Sequence, residues 1–433
     1  MFVPPKPPVP AAPLPFRQFF RSLRANALAT WPAAAYEQPF IKRNMFGRMN
    51  FVMNDAAGIY RVLVDNPGNY RRSPAAIRIL RPIAGQGLLL AEGDNWKLQR
   101  RTVAPALAPR TIPLLTRHII ATTDEALDEL QARIHAPIDM LATMQNLTLE
   151  IAGRSMFSLE MAQYGADMRR MLAEYAIDHA KPRMLDLLLP TAIPTPGDFG
   201  RRRFQKRWMG LIAAIVHDRL RMPEPEQPRD LFDLLRAARD PETAAGFDAE
   251  QLRDQVATLI LAGHETTAIS LFWSLTLLAQ DREEQQKLAD NPQGRTRAVF
   301  NEAMRLFPPA YLIVREAIGP DTVAGQTIHR GDVLMISPWI IHRHRALWHD
   351  PDTFDPSRFL PDMPAPPRFS YLPFGAGPRI CVGAQFALTE ATIVLSAIVK
   401  RFDISLESTR PVLPVGAITT KPDHAPAFRL RLR

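Results

Sequence analysis

One stretch constrains this chain more than any other: DAEQLRDQVATLILAGHETTAISLFWSLTLLAQ, Asp248 to Gln280. Its spacing predicts a single helix, opened by a capping box of Asp248 and Gln251. At 1.5 Å per residue such a helix spans roughly 48 Å, enough to cross a whole domain. Its middle is apolar on nearly every side, which requires burial rather than a surface position. The interruption AGHETT, Ala262 to Thr267, stands out within it. Glycine in a helix interior costs about 1 kcal/mol relative to alanine, so Gly263 needs a reason. Two are open. One is a close helix crossing with Thr266 bonding back to its own helix. The other is a gap in the helix surface at Ala262 and Gly263, flanked by an acid, Glu265, and a hydroxyl, Thr266.

The rest of the chain is mostly helical in pattern. NDAAGIYRVLVDNP carries a capping residue and stops at a proline. EGDNWKLQRRTVAPAL is short and amphipathic, and helical periodicity runs through roughly 111–180 and 200–222. Strand-like segments are fewer: AYLIVREA, TVAGQTI, GDVLMIS, PVLPVGAITTKP and the terminal FRLRLR. The expected class is mainly α, an α+β chain with small sheets. Proline, 41 residues in 433, is densest in VPPKPPVPAAPLP. That run predicts an extended arm over residues 1–16. The interior shows no linker, so one domain is expected over residues 17–433.

No uninterrupted apolar run of about 18–20 residues appears, so no transmembrane helix is expected. The start lacks the basic, apolar and cleavage regions of a signal peptide. A cytoplasmic monomer is the expectation. The net charge of +9 raises nucleic acid, anionic lipid or an acidic protein as partners. Zinc-finger spacing and an aromatic–basic RNA signature are both missing from the sequence, which argues against nucleic acid. RRRFQKR, Arg201 to Arg207, reads as a solvated helix face. It follows the apolar LLLPTAIPTPGDF, which raises a peripheral membrane contact as well. HRHRALWH offers His342, His344 and His349; their mixed spacing without a carboxylate reads as surface histidines rather than a metal site. No Gly-x-Gly-x-x-Gly or P-loop occurs, so no flavin or nucleotide domain is fused.

The sequence holds one cysteine, Cys381, in FSYLPFGAGPRICVGAQFALTEA. One cysteine forms no internal disulfide, Cys-rich zinc site or iron–sulfur cluster. A lone cysteine is most often a small buried hydrophobe. Here Gly375, Gly377 and Pro378 make a tight turn, and a helical pattern starts after Gly383. Cys381 therefore sits just ahead of a helix N-terminus, with Arg379 nearby, an environment that favours a thiolate.

A further pair, Glu302 and Arg305 in NEAMRLFPP, shares one helix face. Taken in order, AGHETT, Glu302-x-x-Arg305, FDPSRF with Arg358, and FGAGPRICVG resemble the signatures of the cytochrome P-450 superfamily of heme-thiolate monooxygenases. FGAGPRICVG matches every fixed position of the heme-binding pattern Phe-x-x-Gly-x-Arg-x-Cys-x-Gly, and NWKLQR resembles its Trp-x-x-x-Arg segment. The resemblance covers about residues 50–433 and looks closest to the fatty-acid-hydroxylase-like branch. Ser357 departs from it, standing where Glu is commoner.

The resemblance implies the fold of that superfamily: a helix-rich triangular prism with a small β region and a long central helix over heme b. It makes Cys381 the axial iron ligand. Cysteinate ligation, known for that superfamily, favours O–O cleavage. Phe374, Gly375 and Gly383 would pack at the sulfur and porphyrin, with Gly377 and Gly383 letting the backbone approach closely. Trp96, Arg100, Arg315 and Arg379 would hold propionates. Ala262 and Gly263 would make room for O2, while Glu265 and Thr266 deliver protons. Glu302, Arg305 and Arg358 would be structural. Leu89, Ala310, Tyr311, Ile313 and Ile418 would line an apolar substrate pocket with Ala262.

Electrons would come from a separate ferredoxin or flavodoxin with its reductase. An acidic donor would dock on Lys97, Arg101 and Arg110, with Arg343 and Arg345 adding to the patch. Two other activities use the same cofactor: a peroxide-using peroxygenase or isomerase, and a noncatalytic heme sensor. The intact Glu265–Thr266 pair argues against the first; a sensor would not need that pair, and steady NADH consumption with added redox partners separates it from a monooxygenase.

Overall fold

The computed structural model describes residues 2–45, 47–158 and 164–433. Its axis is the helix Ala249–Gln280, 32 residues long and capped by the reciprocal Asp248–Gln251 box. From Ala268 to Leu278 every residue is buried. Helices Pro74–Ala84, Met140–Phe157, Pro196–Arg221, Pro292–Leu306 and Ala384–Arg401 pack around it. That enclosure explains its sequence: with neighbours on all sides, no polar stripe is needed. By length and composition alone this helix is also long and apolar enough to cross a membrane, but it lies in the core.

The strands gather to one side. A five-stranded mixed sheet runs in the order Phe40–Met45, Arg48–Met53, Val333–Ile336, Ile313–Ala317, Tyr70–Arg72. Arg48–Met53 pairs in parallel with Val333–Ile336, and the other pairs are antiparallel. A three-stranded sheet joins Ile138–Asp139, Ala427–Leu432 and Phe402–Leu406. Two hairpins complete the β content, Asp321–Val323 with Gln326–Ile328 and Pro414–Gly416 with Thr420–Pro422. The strand-like segments expected after residue 310 all contain strands; Phe40–Met45, Arg48–Met53 and Phe402–Leu406 add to them.

The proline-rich arm lies on the body. The Phe2 carbonyl accepts from Phe354 N–H and the Pro10 carbonyl from Ala33 N–H, both at 2.9 Å. Lys6 pairs with Asp352. Helix Phe16–Ala25 follows and contains no buried residue.

Several charged residues that read as surface groups are buried. Arg201 is 2% exposed and pairs with Asp186 at 2.7 Å. Only part of RRRFQKR is thus a solvated face. His342 and His344 are likewise buried, while His349 alone of the three is exposed. His342 Nε2 accepts from Leu372 N–H at 2.8 Å, just ahead of the cysteine turn. Arg343 is buried and stacks over the Trp339 ring at 3.6 Å. A buried guanidinium over an aromatic face needs fewer carboxylate partners, which is why the local charge pattern misled.

Candidate functional site

The cysteine turn is built by two backbone demands. Gly377 has φ +72°, and a Cβ there would overlap the Leu63 carbonyl oxygen. The turn thus presses against the Arg61–Asp65 segment, and only glycine fits. This protein contact, rather than approach to a cofactor, accounts for Gly377. A Cβ at Gly383 meets nothing within 4 Å. The loop closes with Cys381 N–H donating to the Phe374 carbonyl at 2.9 Å, and helix Ala384–Arg401 begins directly after it.

The Cys381 side chain faces a cavity of about 1390 Å³ enclosed between the turn and the central helix. Burial pushes the thiol up, a Gly383 backbone hydrogen bond and Arg100 acting against it more weakly. Metal coordination deprotonates a thiol outright, and the sulfur is placed for that.

Across the cavity lie Ala262, Gly263, Glu265 and Thr266. Thr266 Oγ1 donates back to the Ala262 carbonyl at 2.6 Å. A Cβ on Gly263 would meet only Met156 Cε at 3.7 Å, an ordinary contact. Close helix crossing thus does not explain the glycine. His264 points the other way, buried, with Nε2 3.0 Å from the Gln145 carbonyl. Glu265 Oε1 lies 2.7 Å from Lys421 Nζ.

Trp96, Arg100, Arg315, Phe374, Gly375, Arg379 and Gly383 border the same cavity, as do Leu89, Ala310, Tyr311, Ile313 and Ile418. Glu302, Arg305 and Arg358 do not line it. Arg305 is fully buried, bound by both Glu302 oxygens at 2.7 Å, and Arg358 Nε lies 3.7 Å from Glu302.

Among the cavity residues that escaped the sequence reading is Arg72. Arg72 stands directly opposite Arg315 in adjacent antiparallel strands, an arrangement of like charges that costs stability. Arg379 joins them. Its guanidinium lies 4.4 Å from the Trp96 ring and 2.5 Å from Glu92, the one carboxylate acting on all three. Burial and mutual repulsion push Arg72 down to about 9 and Arg315 to about 10. Arg72 Nε is buried without a hydrogen-bond partner among the described residues. Three guanidiniums against one carboxylate leave a net charge of about +2, a site made for a dianion. The two propionates of a heme fit it, with the cysteine sulfur on the same cavity. Only the pairing of strands distant in sequence reveals Arg72. Among the described residues no cluster of three His, Cys, Asp or Glu side chains could hold a metal ion.

The docking patch changes as well. Arg101 is held by Asp240 at 2.7 Å and Glu242 at 3.0 Å. Lys97 pairs with Asp94 and Arg345 with Glu37. Arg110 remains exposed. With Arg343 buried, Arg101 and Arg343 leave the set of free surface cations.

Comparison with known proteins agrees with this geometry. The family model described as Cytochrome P450 matches residues 7–424, starting earlier than residue 50. Cyclooctatin synthase of Streptomyces melanosporofaciens is 33% identical over 348 residues, 74% of this chain and 73% of that protein. Carotene epsilon-monooxygenase, chloroplastic, of Arabidopsis thaliana is 29% identical, covering 84% of this chain and 75% of that protein. The solved cytochrome P450DA heme domain superposes with TM-score 0.81 at 22% identity, covering 100% of this chain and 99% of that one.

Proposed function

The chain belongs to the cytochrome P450 family and is a heme-thiolate monooxygenase; from that premise we propose that it inserts one oxygen atom of O2 into a bulky, largely hydrocarbon small molecule. The observation carrying this reading is the single cavity that brings together the Cys381 sulfur, the Arg72–Arg315–Arg379 cluster and the Glu265–Thr266 pair. Its volume of about 1390 Å³ exceeds the usual ligand pocket of roughly 300–1,000 Å³, leaving room for cofactor and substrate together.

Heme, when bound, supplies the redox iron at which O2 is activated. Cys381 would hold it through its sulfur, and Arg72, Arg100, Arg315 and Arg379 would neutralise its propionates beside Trp96. The Thr266 hydroxyl, now donating to Ala262, would turn to hold a proton in the cavity. Glu265 would replenish it. Leu89, Ala310, Ile313 and Ile418 give an apolar wall that excludes water and binds hydrocarbon. Tyr311 adds its ring to that wall while its hydroxyl is taken by the Ala417 carbonyl at 2.7 Å. The relative named for carotene supports a large hydrocarbon over a small one. A redox partner must supply electrons; we propose a separate ferredoxin or flavodoxin, and action in the cytoplasm.

The test is a ligand screen on the heme-loaded protein. Bulky hydrocarbons should shift the Soret band and give hydroxylated or epoxidised product with added redox partners and NADH. Thr266→Ala should keep that shift and divert reducing equivalents to hydrogen peroxide. Peroxide-driven turnover with no response to Thr266→Ala would favour the peroxygenase reading instead.

We also infer a membrane-surface contact at the cavity mouth. Helix Phe16–Ala25 places Phe16, Phe19, Phe20 and Leu23 on one stripe, with Arg17, Arg21 and Arg24 off it. Ile177, Met184, Leu185, Leu187, Ile193 and Phe199 are all exposed, Phe199 by 73%. Phe19, Leu23 and Leu187 border the cavity. Exposed apolar groups beside basic ones suit anionic lipid. Phe199→Glu with Leu185→Glu should abolish co-flotation with anionic vesicles; unchanged flotation would remove the inference.

A further inference from the structure

The hairpin Pro414–Gly416 with Thr420–Pro422 is locked to the core at Thr420 and at its tip. The Thr420 hydroxyl donates to the Pro308 carbonyl at 2.6 Å, and the Thr420 carbonyl accepts from Trp273 Nε1 at 2.8 Å. Tyr311 donates to Ala417 at the tip. Lys421, next to Thr420, therefore starts from a fixed backbone, and its ammonium lies 2.7 Å from Glu265 Oε1. Trp273 and Glu265 belong to the same central helix. The hairpin thus grips that helix twice, once through a neutral hydrogen bond and once through an ion pair.

The other ionisable groups acting in this corner do not replace Lys421. His264 is buried, burial pushes its pKa down, and its Nε2 lies 3.0 Å from the Gln145 carbonyl rather than at Glu265. Arg169, on the helix Gly165–Asp178, acts on His264 electrostatically but makes no ion pair with Glu265 among the described residues. Lys421 is the cation that Glu265 meets directly. Ile418, Thr419 and Lys421 also border the cavity.

We propose that Lys421 is the positioning residue for Glu265: its ammonium holds the carboxylate at the cavity wall in the orientation from which it serves Thr266. This rests on the reading of Glu265 as the proton-supplying acid. Lys421 touches neither cofactor nor reacting atoms; it acts through Glu265. A carboxylate on a side chain with three rotatable bonds samples many orientations unless something fixes it. A hairpin anchored at the adjacent residue fixes the backbone from which Lys421 reaches the carboxylate, and the pairing itself restrains both side chains.

The experiment uses the heme-loaded protein with its redox partners, in four variants: Lys421→Met, Lys421→Arg, Glu265→Gln and the Lys421→Met/Glu265→Gln double. Lys421→Met should raise the share of reducing equivalents lost to peroxide about two- to fivefold, the factor expected of a part-exposed pair. Its substrate-induced Soret shift should stay unchanged. Lys421→Arg should restore coupling, and the double variant should be no worse than Glu265→Gln. A readout independent of turnover accompanies these: acylation of the Lys421 amine, followed by mass spectrometry. Glu265→Gln should speed it about two- to fivefold. If Glu265→Gln uncouples turnover while Lys421→Met does not, the positioning role is refuted and the proton-supply reading stands. If neither uncouples, the proton-supply reading falls and takes the positioning role with it. Additive losses in the double variant, or unchanged acylation, also overturn the proposal.

Discussion

Removing the Glu302 carboxylate should destabilise the fold rather than merely silence the protein. Arg305 is fully buried and makes five hydrogen bonds: two to Glu302, and one each to the His342, Pro351 and Thr353 carbonyls at 2.8, 2.6 and 2.9 Å. In Glu302→Ala the guanidinium keeps three carbonyls and loses its counter-charge. Asp355 N–H loses its acceptor at 2.9 Å, and Arg358 loses its neighbour. Leaving a buried charge unpaired costs about 3–5 kcal/mol, against a total stability of about 5–15 kcal/mol. With an m-value of ~3 kcal/mol/M, the urea midpoint should fall by about 1–1.7 M. The assay is urea unfolding of wild type, Glu302→Ala and Glu302→Ala/Arg305→Met, followed by fluorescence and by the Soret band. The double variant should regain part of the loss, because removing both partners leaves no orphaned charge. A Glu302→Ala protein with the wild-type midpoint and full heme, but no turnover, would refute the structural role and make the pair catalytic.

Two further predictions concern buried charge. Arg72→Met should stabilise the heme-free protein, by relieving the cross-strand repulsion with Arg315, and speed heme loss from the loaded one. Heme transfer to an excess of a heme-scavenging protein measures the second effect; no change in either direction would remove Arg72 from the propionate site. Glu390, buried on the cysteine helix, has one carboxyl oxygen without a partner among the described residues, and burial holds its pKa well above the usual range. The folded state therefore keeps a proton that the unfolded chain releases near pH 4.5. Its contribution to stability is complete below that pH and is lost as pH rises toward the folded value. Relative to wild type, Glu390→Gln should gain ~1.4 kcal/mol per pH unit through that window. Parallel stability–pH curves for the two proteins would contradict it.

What the sequence made legible was local. The capping box and all-round apolarity of Asp248–Gln280 foretold a buried central helix, because helix periodicity and caps are short-range signals. The cysteine turn and the Glu302–Arg305 spacing were equally local, and of the residues assigned from the former Phe374, Gly375, Arg379, Cys381 and Gly383 border the cavity while Gly377 does not. What escaped was non-local. Arg72 and Arg315 meet only because two strands some 240 residues apart pair in one register. Lys421 reaches Glu265 across a hairpin and a helix, and Arg101 finds Asp240 from 139 residues away. Sequence shows a charge but not its partner, so Arg201, His342 and Arg343 looked exposed. Each is buried because a carboxylate, a backbone group or an indole face meets it. For Cys381 the helix start was visible in the sequence, whereas the burial that raises its thiol was not.

The central claim is that Cys381 ligates heme iron from the cysteine turn. The carbon monoxide difference spectrum of the reduced protein tests it most directly, recorded for wild type, Cys381→Ser and Cys381→Ala. Wild type should show the red-shifted carbonyl band of a thiolate-ligated heme. The variants should lose that band, with Cys381→Ser alcohol-ligated or heme-poor. A Cys381→Ala protein that retained the thiolate-type band would contradict the account, since no other cysteine exists in the chain.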